Sequence, residues 1–186
     1  MTKLLGVSGS LRKGSYNTAL LNAARALVPE GLSLVAGSIQ GIPLYNGDEE
    51  EANGIPPAVR VLKDQLAAAD GLIMFTPEYN NGLPGVFKNA IDWLTRPASD
   101  IERLFKGKPV AIVGASPGGF GTILSQSAWL PVLHTLGTKP WFGGRLLVSR
   151  AHTVFDAEGE LRDEAIKQRL AQFLEGFAAF AADPGA

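Results

Sequence analysis

Five short apolar runs punctuate the chain, at residues 4–7, 32–36, 71–75, 110–114 and 146–148. Each has the length and turn-forming flanks of a strand buried on both faces. Between them the apolar positions recur at helical spacing. A first helix is predicted over 18–28, capped by Asn17 or Ser15. A second follows Pro56-Pro57 and carries Val59, Leu62, Leu66 and Ala69 on one side. A third begins near Leu83, with Pro84 in the first turn, where a missing N–H does no harm. Its apolar stripe is Leu83, Val86, Phe87, Ala90, Ile91 and Leu94, with Trp93 at the margin and Lys88 and Asp92 on the other side. A fourth spans 122–136 and should kink at Pro131. The last covers 161–181, with Ile166, Leu170, Phe173, Leu174 and Phe177 on one face.

Strands alternate with helices from end to end. That pattern predicts an α/β protein with a parallel sheet covered by helices on both faces. Five strands in this length predict one domain over 1–186, doubly wound, with the flavodoxin-like order 2-1-3-4-5. One connection, 38–56, is long and holds the acidic run Asp48-Glu49-Glu50-Glu51, which is expected to be solvated. The end, Asp183-Pro184-Gly185-Ala186, is expected to fray.

Composition narrows the chemistry. The 186 residues include no cysteine. This removes a cysteine nucleophile, a zinc–thiolate centre and an iron–sulfur cluster. The 17 Lys and Arg balance 18 Asp and Glu, net −1, so no broad basic face for nucleic acid is expected. No apolar run approaches the ~20 residues that cross a bilayer, and the first residues do not read as a signal peptide. The cytoplasm is the expected compartment. The two histidines, His134 in the fourth helix and His152 beyond the last strand, read as structural or surface residues; with only two, no metal site is expected.

In an open parallel sheet, ligands bind at the carboxyl ends of the strands near the switch in strand order. Those loops are glycine-rich here. After the first strand comes Ser8-Gly9-Ser10-Leu11-Arg12-Lys13-Gly14-Ser15-Tyr16-Asn17-Thr18. It is hydroxylated and basic and opens a helix, which is how an anion site is built. A plain strand-to-helix turn would also use serine and asparagine as caps; Arg12 and the flanking glycines favour phosphate. Gly9 and Gly14 have Walker spacing, but Ser15 stands where that motif needs lysine, and G-x-G-x-x-G is absent. No acid ends the second strand to hold a ribose. A single phosphomonoester fits best. After the third strand comes Thr76-Pro77-Glu78-Tyr79-Asn80-Asn81-Gly82, with Tyr79 as an aromatic wall. After the fourth comes Gly114-Ala115-Ser116-Pro117-Gly118-Gly119-Phe120-Gly121, whose four glycines expose backbone amides. Glycines clustered in these loops suggest backbone meeting ligand.

Together these residues resemble the NAD(P)H-dependent FMN reductase family, which includes chromate-, quinone- and azo-reducing flavoenzymes. The resemblance rests on Gly9-Ser10-Leu11-Arg12-Lys13-Gly14-Ser15-Tyr16-Asn17. It rests also on Thr76-Pro77-Glu78-Tyr79-Asn80 continuing through Pro84-Gly85 to Lys88-Asn89-Ala90-Ile91-Asp92-Trp93, and on Ser116-Pro117-Gly118-Gly119. It implies a non-covalently bound FMN. By resemblance Ser10, Arg12, Ser15, Asn17 and Thr18 hold the phosphate. Pro77, Glu78, Tyr79 and Asn80 lie along the isoalloxazine ring, and Ser116, Gly118 and Gly119 meet its edge. NADPH or NADH would pass hydride to flavin N5, and a quinone, flavin, chromate or similar small acceptor would then be reduced. No side chain would be catalytic in its own right, because the redox chemistry belongs to the flavin.

Family members are usually dimers or tetramers, and the wide stripe with Trp93 is compatible with either an interface or core. Relatives often carry an arginine early in the fourth helix; here the stretch reads Thr122-Ile123-Leu124-Ser125-Gln126. Donor preference and assembly are therefore open at this stage. The alternatives are a flavin-binding electron carrier or a redox sensor without efficient NAD(P)H turnover. A near-neutral charge argues against a carrier that meets basic partners.

Overall fold

The computed structural model describes residues 1–183. The expected fraying of the C-terminus falls, beyond Asp183, outside the described residues. The strands are β1 (Thr2–Ser8), β2 (Leu32–Gly37), β3 (Gly71–Phe75), β4 (Pro109–Ala115), β5 (Lys139–Pro140) and β6 (Leu146–Val148). The helices are α1 (Tyr16–Ala26), α2 (Gly47–Asn53), α3 (Pro57–Ala67), α4 (Gly85–Leu94), α5 (Ser99–Leu104), α6 (Ile123–Thr135), α7 (Ala151–Val154) and α8 (Glu164–Ala182).

All strand pairs are parallel, in the order β2-β1-β3-β4-β5, with β6 also on β4. Leu4 stands between Leu34 and Gly71, and Phe75 between Ser8 and Val113. Side chains alternate across the pleat, so neighbours in one strand feed opposite cores. Leu4, Ile73, Phe75 and Val113 pack under α1 and α8, against Leu20, Leu21, Leu174 and Phe177. Leu5, Val7, Leu72 and Met74 pack under α3, α4 and α6, against Leu62, Phe87, Trp93 and Trp129. Burial on both sides is why these strands read as unbroken apolar runs.

The five-strand expectation is corrected to six. The run at 146–148 is a strand, but a two-residue strand precedes it on the same edge of β4. Between them the chain leaves the sheet. Trp141 N–H still donates to the Val110 carbonyl at 2.8 Å, while its ring packs edge-on against Phe173 at 5.0 Å. The glycines 143 and 144 lie against that indole, where a Cβ would stand 2.5 Å and 2.7 Å from it.

Trp93 is 1% exposed, so it belongs to the core and not to a free stripe. Its indole N–H donates to the Pro43 carbonyl at 2.8 Å, which pins the 38–56 connection to α4. Asn89 holds the same segment twice, accepting from Tyr45 N–H and donating to Pro43. The acidic run is not simply solvated. It forms the start of α2, where carboxylates suit the positive helix end, and Glu50 accepts from Arg96 at 2.8 Å and from the Tyr45 hydroxyl at 3.0 Å. Pro131 sits inside α6, which continues through it.

Candidate functional site

The loop from β1 to α1 is built as a helix cap beside a cation. Ser15 is the α1 N-cap, and its hydroxyl accepts from Thr18 N–H at 3.3 Å. The first-turn N–H groups of Tyr16 and Asn17 have no intrahelical acceptor, as at any helix start. Ser10 is buried, and its hydroxyl accepts from Arg12 N–H at 3.3 Å. The Arg12 guanidinium makes no ion pair with any described residue and is exposed. Thr18 and Ser8 share a hydroxyl contact at 2.9 Å.

Asn17 is 3% exposed, and its side chain turns away from this loop. Its amide donates to the Ala115 carbonyl and accepts from the Ala115 N–H, each at 2.9 Å. Only its backbone N–H remains for an anion.

The loop after β3 is tied to α6 as much as to any ligand. The Thr76 hydroxyl contacts that of Ser125 at 2.9 Å and accepts from the Trp129 indole at 3.0 Å. Pro77 is buried. One carboxylate oxygen of Glu78 accepts from the N–H groups of Leu124 and Ser125, at 2.8 and 3.1 Å. Asn80 and Asn81 both have positive φ, 50° and 62°. Asparagine tolerates that region, and two such residues close a tight turn of the hairpin type. Tyr79 and Gly82 exchange backbone hydrogen bonds across it, at 3.1 and 3.0 Å. Tyr79 is left 43% exposed, with its phenol oxygen 3.5 Å from the Ser10 hydroxyl.

The loop after β4 is held by its own serine. Ser116 Oγ donates to the Gly121 carbonyl at 2.6 Å, so the hydroxyl proton is committed within the loop. Ser116 N–H donates to Val148, and the N–H groups of Arg150 and Ala151 donate to Gly118 and Ser116. Gly118 and Gly119 have room for a side chain: a Cβ would stand 3.6 Å from the Ser116 hydroxyl on Gly118 and would meet nothing within 4 Å on Gly119. Gly9 and Gly114 do not. A Cβ on Gly9 would stand 2.2 Å from the Phe87 ring, and one on Gly114 2.0 Å from the Thr122 hydroxyl. Those two glycines serve close protein packing, which corrects the reading that all the loop glycines face ligand.

The structure brings Ser10, Arg12, Ser15, Asn17, Pro77, Glu78, Tyr79 and Ser116 to one hollow, with Tyr16, Ala115 and Pro117. Thr18, Asn80, Gly118 and Gly119 flank it without lining it. Roomier hollows lie elsewhere, of about 550 Å³ beside Trp93 and about 340 Å³ beside Trp141. Neither is bounded by these three loops, and size does not decide chemistry. The groove has the parts a phosphate ester needs: free helix N–H groups, hydroxyls and an unpaired guanidinium. Its one carboxylate, on Glu78, is occupied by the α6 amides.

Sequence reasoning missed Thr76 as an anchor, Tyr16 as a wall and Arg150 beside the glycine loop. Arg150 lies two residues beyond β6, at the N-cap of α7, and this β6–α7 loop is a further one at the ligand edge. His134 and His152 are both exposed.

Fold and site together define a flavodoxin-like mononucleotide-binding protein. Residues 2–153 match the model of the NADPH-dependent FMN reductase family, and the chain belongs to that family. It is similar to the NAD(P)H-dependent FMN reductase of Pseudomonas aeruginosa, with 47% identity over 93% of this chain and 91% of the relative. It is 36% identical to the 2-hydroxy-1,4-benzoquinone reductase of a Burkholderia species, covering 97% of each chain. Among solved structures, the NAD(P)H:(acceptor) oxidoreductase FerB from Paracoccus denitrificans superposes with a TM-score of 0.86, at 33% identity and 98% coverage of both chains.

Proposed function

We propose that this protein is an NAD(P)H-dependent FMN oxidoreductase that reduces quinone-type acceptors in a groove over its three ligand loops. The observation that carries the site assignment is the α1 N-terminus facing an unpaired Arg12. The phosphate would be held by Ser10, Arg12, Ser15 and the N–H groups of the first turn, Asn17 acting through its backbone. Thr18 supports this loop through Ser8. Pro77, Glu78, Tyr79 and Asn80 would bound the ring on one side, and Ser116, Gly118 and Gly119 along its edge.

FMN, when bound, supplies the acceptance of hydride from NADPH or NADH and its delivery to the acceptor. The chain's part is to bind, orient and exclude water. Buried Pro77 and the fixed Ser116 loop make rigid walls, and rigid walls lower the cost of bringing two substrates together in turn. Half-exposed Tyr79 leaves the groove open, which suits flat acceptors of several kinds, chromate included. Self-association to a dimer or tetramer is part of this reading, supported by Leu130 and Phe142, exposed beside the hollow at Trp141. A cytoplasmic location is supported by the need for reduced nicotinamide nucleotide.

The test is direct. The purified protein, given FMN, should be yellow and should bleach on anaerobic mixing with NADPH or NADH. Recolouring by benzoquinone at many turnovers per protein supports the enzyme. A flavin that stays oxidised under NAD(P)H would leave only a carrier or sensor. A protein that does not retain FMN would defeat the assignment.

A further inference from the structure

We infer that Glu78 is a positioning residue: by capping α6 from the loop after β3, it sets where Tyr79 stands over the flavin groove. The inference rests on the site assignment above.

α6 begins without a cap of its own. Thr122 occupies its N-cap position but makes no side-chain cap hydrogen bond. Its hydroxyl instead accepts from the Gln126 amide at 3.2 Å. The free N–H groups of Leu124 and Ser125 are met by Glu78, 46 and 47 residues earlier in the chain. A carboxylate at a helix N-terminus is stabilised by both the hydrogen bonds and the helix dipole. The segment from Thr122 to Gln126 holds no cationic side chain. The helix amides are therefore the partners that balance this charge.

The consequence falls on the next residue. Tyr79 lies between two fixed points, the Glu78 carboxylate on α6 and the Asn80-Asn81 turn. The phenol then spans to Ser10 on the first loop. One carboxylate thus joins the second loop to the helix that follows the third, with Tyr79 across the gap. Loss of the cap frees the turn to shift. A shift of about 1 Å at a positioning group is enough to cost up to ~100-fold in rate.

The experiment is a double-mutant cycle of Glu78→Ala and Tyr79→Ala, read with benzoquinone and with a bulkier naphthoquinone. Glu78→Ala should lower kcat/KM about tenfold or more, with the loss differing between the two quinones. In the Tyr79→Ala background the same change should add less than about twofold, because the effect runs through Tyr79. Glu78→Gln keeps an oxygen acceptor for both N–H groups and should restore most of the rate. Should Glu78→Ala fail to fold, Glu78→Asp, whose side chain is one methylene too short to reach the α6 amides in place, carries the cycle, with Glu78→Gln as the conservative control. Full additivity with Tyr79→Ala overturns the inference. So does a lowered melting temperature with unchanged kinetics, which would make Glu78 merely a cap. FMN retention is measured alongside; wild-type protein without flavin would refute the site assignment, whereas yellow, active protein with additive mutants refutes only the role of Glu78.

Discussion

The side-chain amide of Asn17 pairs with the backbone of Ala115 through two hydrogen bonds of 2.9 Å, one in each direction. The pair is buried and joins residues 98 apart, locking the start of α1 to the end of β4. It sets the spacing between the first and third ligand loops. Asn17→Ala leaves the Ala115 N–H and carbonyl buried and unpaired. We expect a loss of about 2–4 kcal/mol, read as a lower urea midpoint with unchanged slope. Asn17→Asp keeps the acceptor but sets a carboxylate against the Ala115 carbonyl. It should also destabilise, more at pH 7 than below pH 4.

Arg12 is the contrasting case. Its guanidinium has no protein anion to lose, so Arg12→Ala should leave the apoprotein's melting temperature within about 1–2 °C of wild type. FMN binding should weaken by roughly 1.5–3 kcal/mol, about ten- to hundredfold in Kd, measured by flavin fluorescence quenching. Unchanged affinity would remove Arg12 from the phosphate site.

Thr76 concentrates three contacts on one hydroxyl, with Pro77, Ser125 and Trp129. Thr76→Val keeps the shape and deletes them. The Trp129 indole N–H, fully buried, would be left without an acceptor. A loss of about 1–3 kcal/mol is expected, with a red or blue shift of the buried tryptophan emission. Because Thr76 also ties the second loop to α6, turnover should fall together with stability.

Asp100 governs part of the acid limb. Its carboxyl is held below the usual carboxylate range first by the hydrogen bond from Arg103 and then by that from Lys63, against the opposing effect of burial. A depressed folded value means stabilisation that is full above the unfolded value, about 3.9. It is lost as pH falls through the folded value. Asp100→Asn should therefore be less stable than wild type at pH 7, and the gap should narrow below about pH 4. A gap that is constant from pH 7 to pH 3 would show that the charge contributes nothing.

The strand runs and helix stripes were legible because both faces of the sheet are buried, which leaves apolar segments of strand length between amphipathic helices. The short elements were not. β5 has two residues and leans on Trp141 leaving the sheet, and α2, α5 and α7 are too short to show a period. The three loops were legible as ligand loops from their glycines, hydroxyls and Arg12. The partners of their side chains were not. Asn17 and Ser116 look like donors to a ligand, yet each finds a backbone group brought close only by folding. Glu78 looks like a wall and is a cap for a helix far along the chain. Gly9 and Gly114 look like ligand glycines and make room for Phe87 and Thr122.

The amino-acid sequence by itself determined the layers, the strand order and the edge where chemistry occurs. Those follow from local periodicity and from rules of parallel sheets, which need only neighbouring residues. Tertiary structure decided which polar groups are free. A hydroxyl, an amide or a carboxylate can satisfy a ligand or a buried backbone group equally well, and only the approach of distant segments selects between them. Arg12 stayed unpaired because no acid was folded against it, and Glu78 was taken because α6 begins beside it.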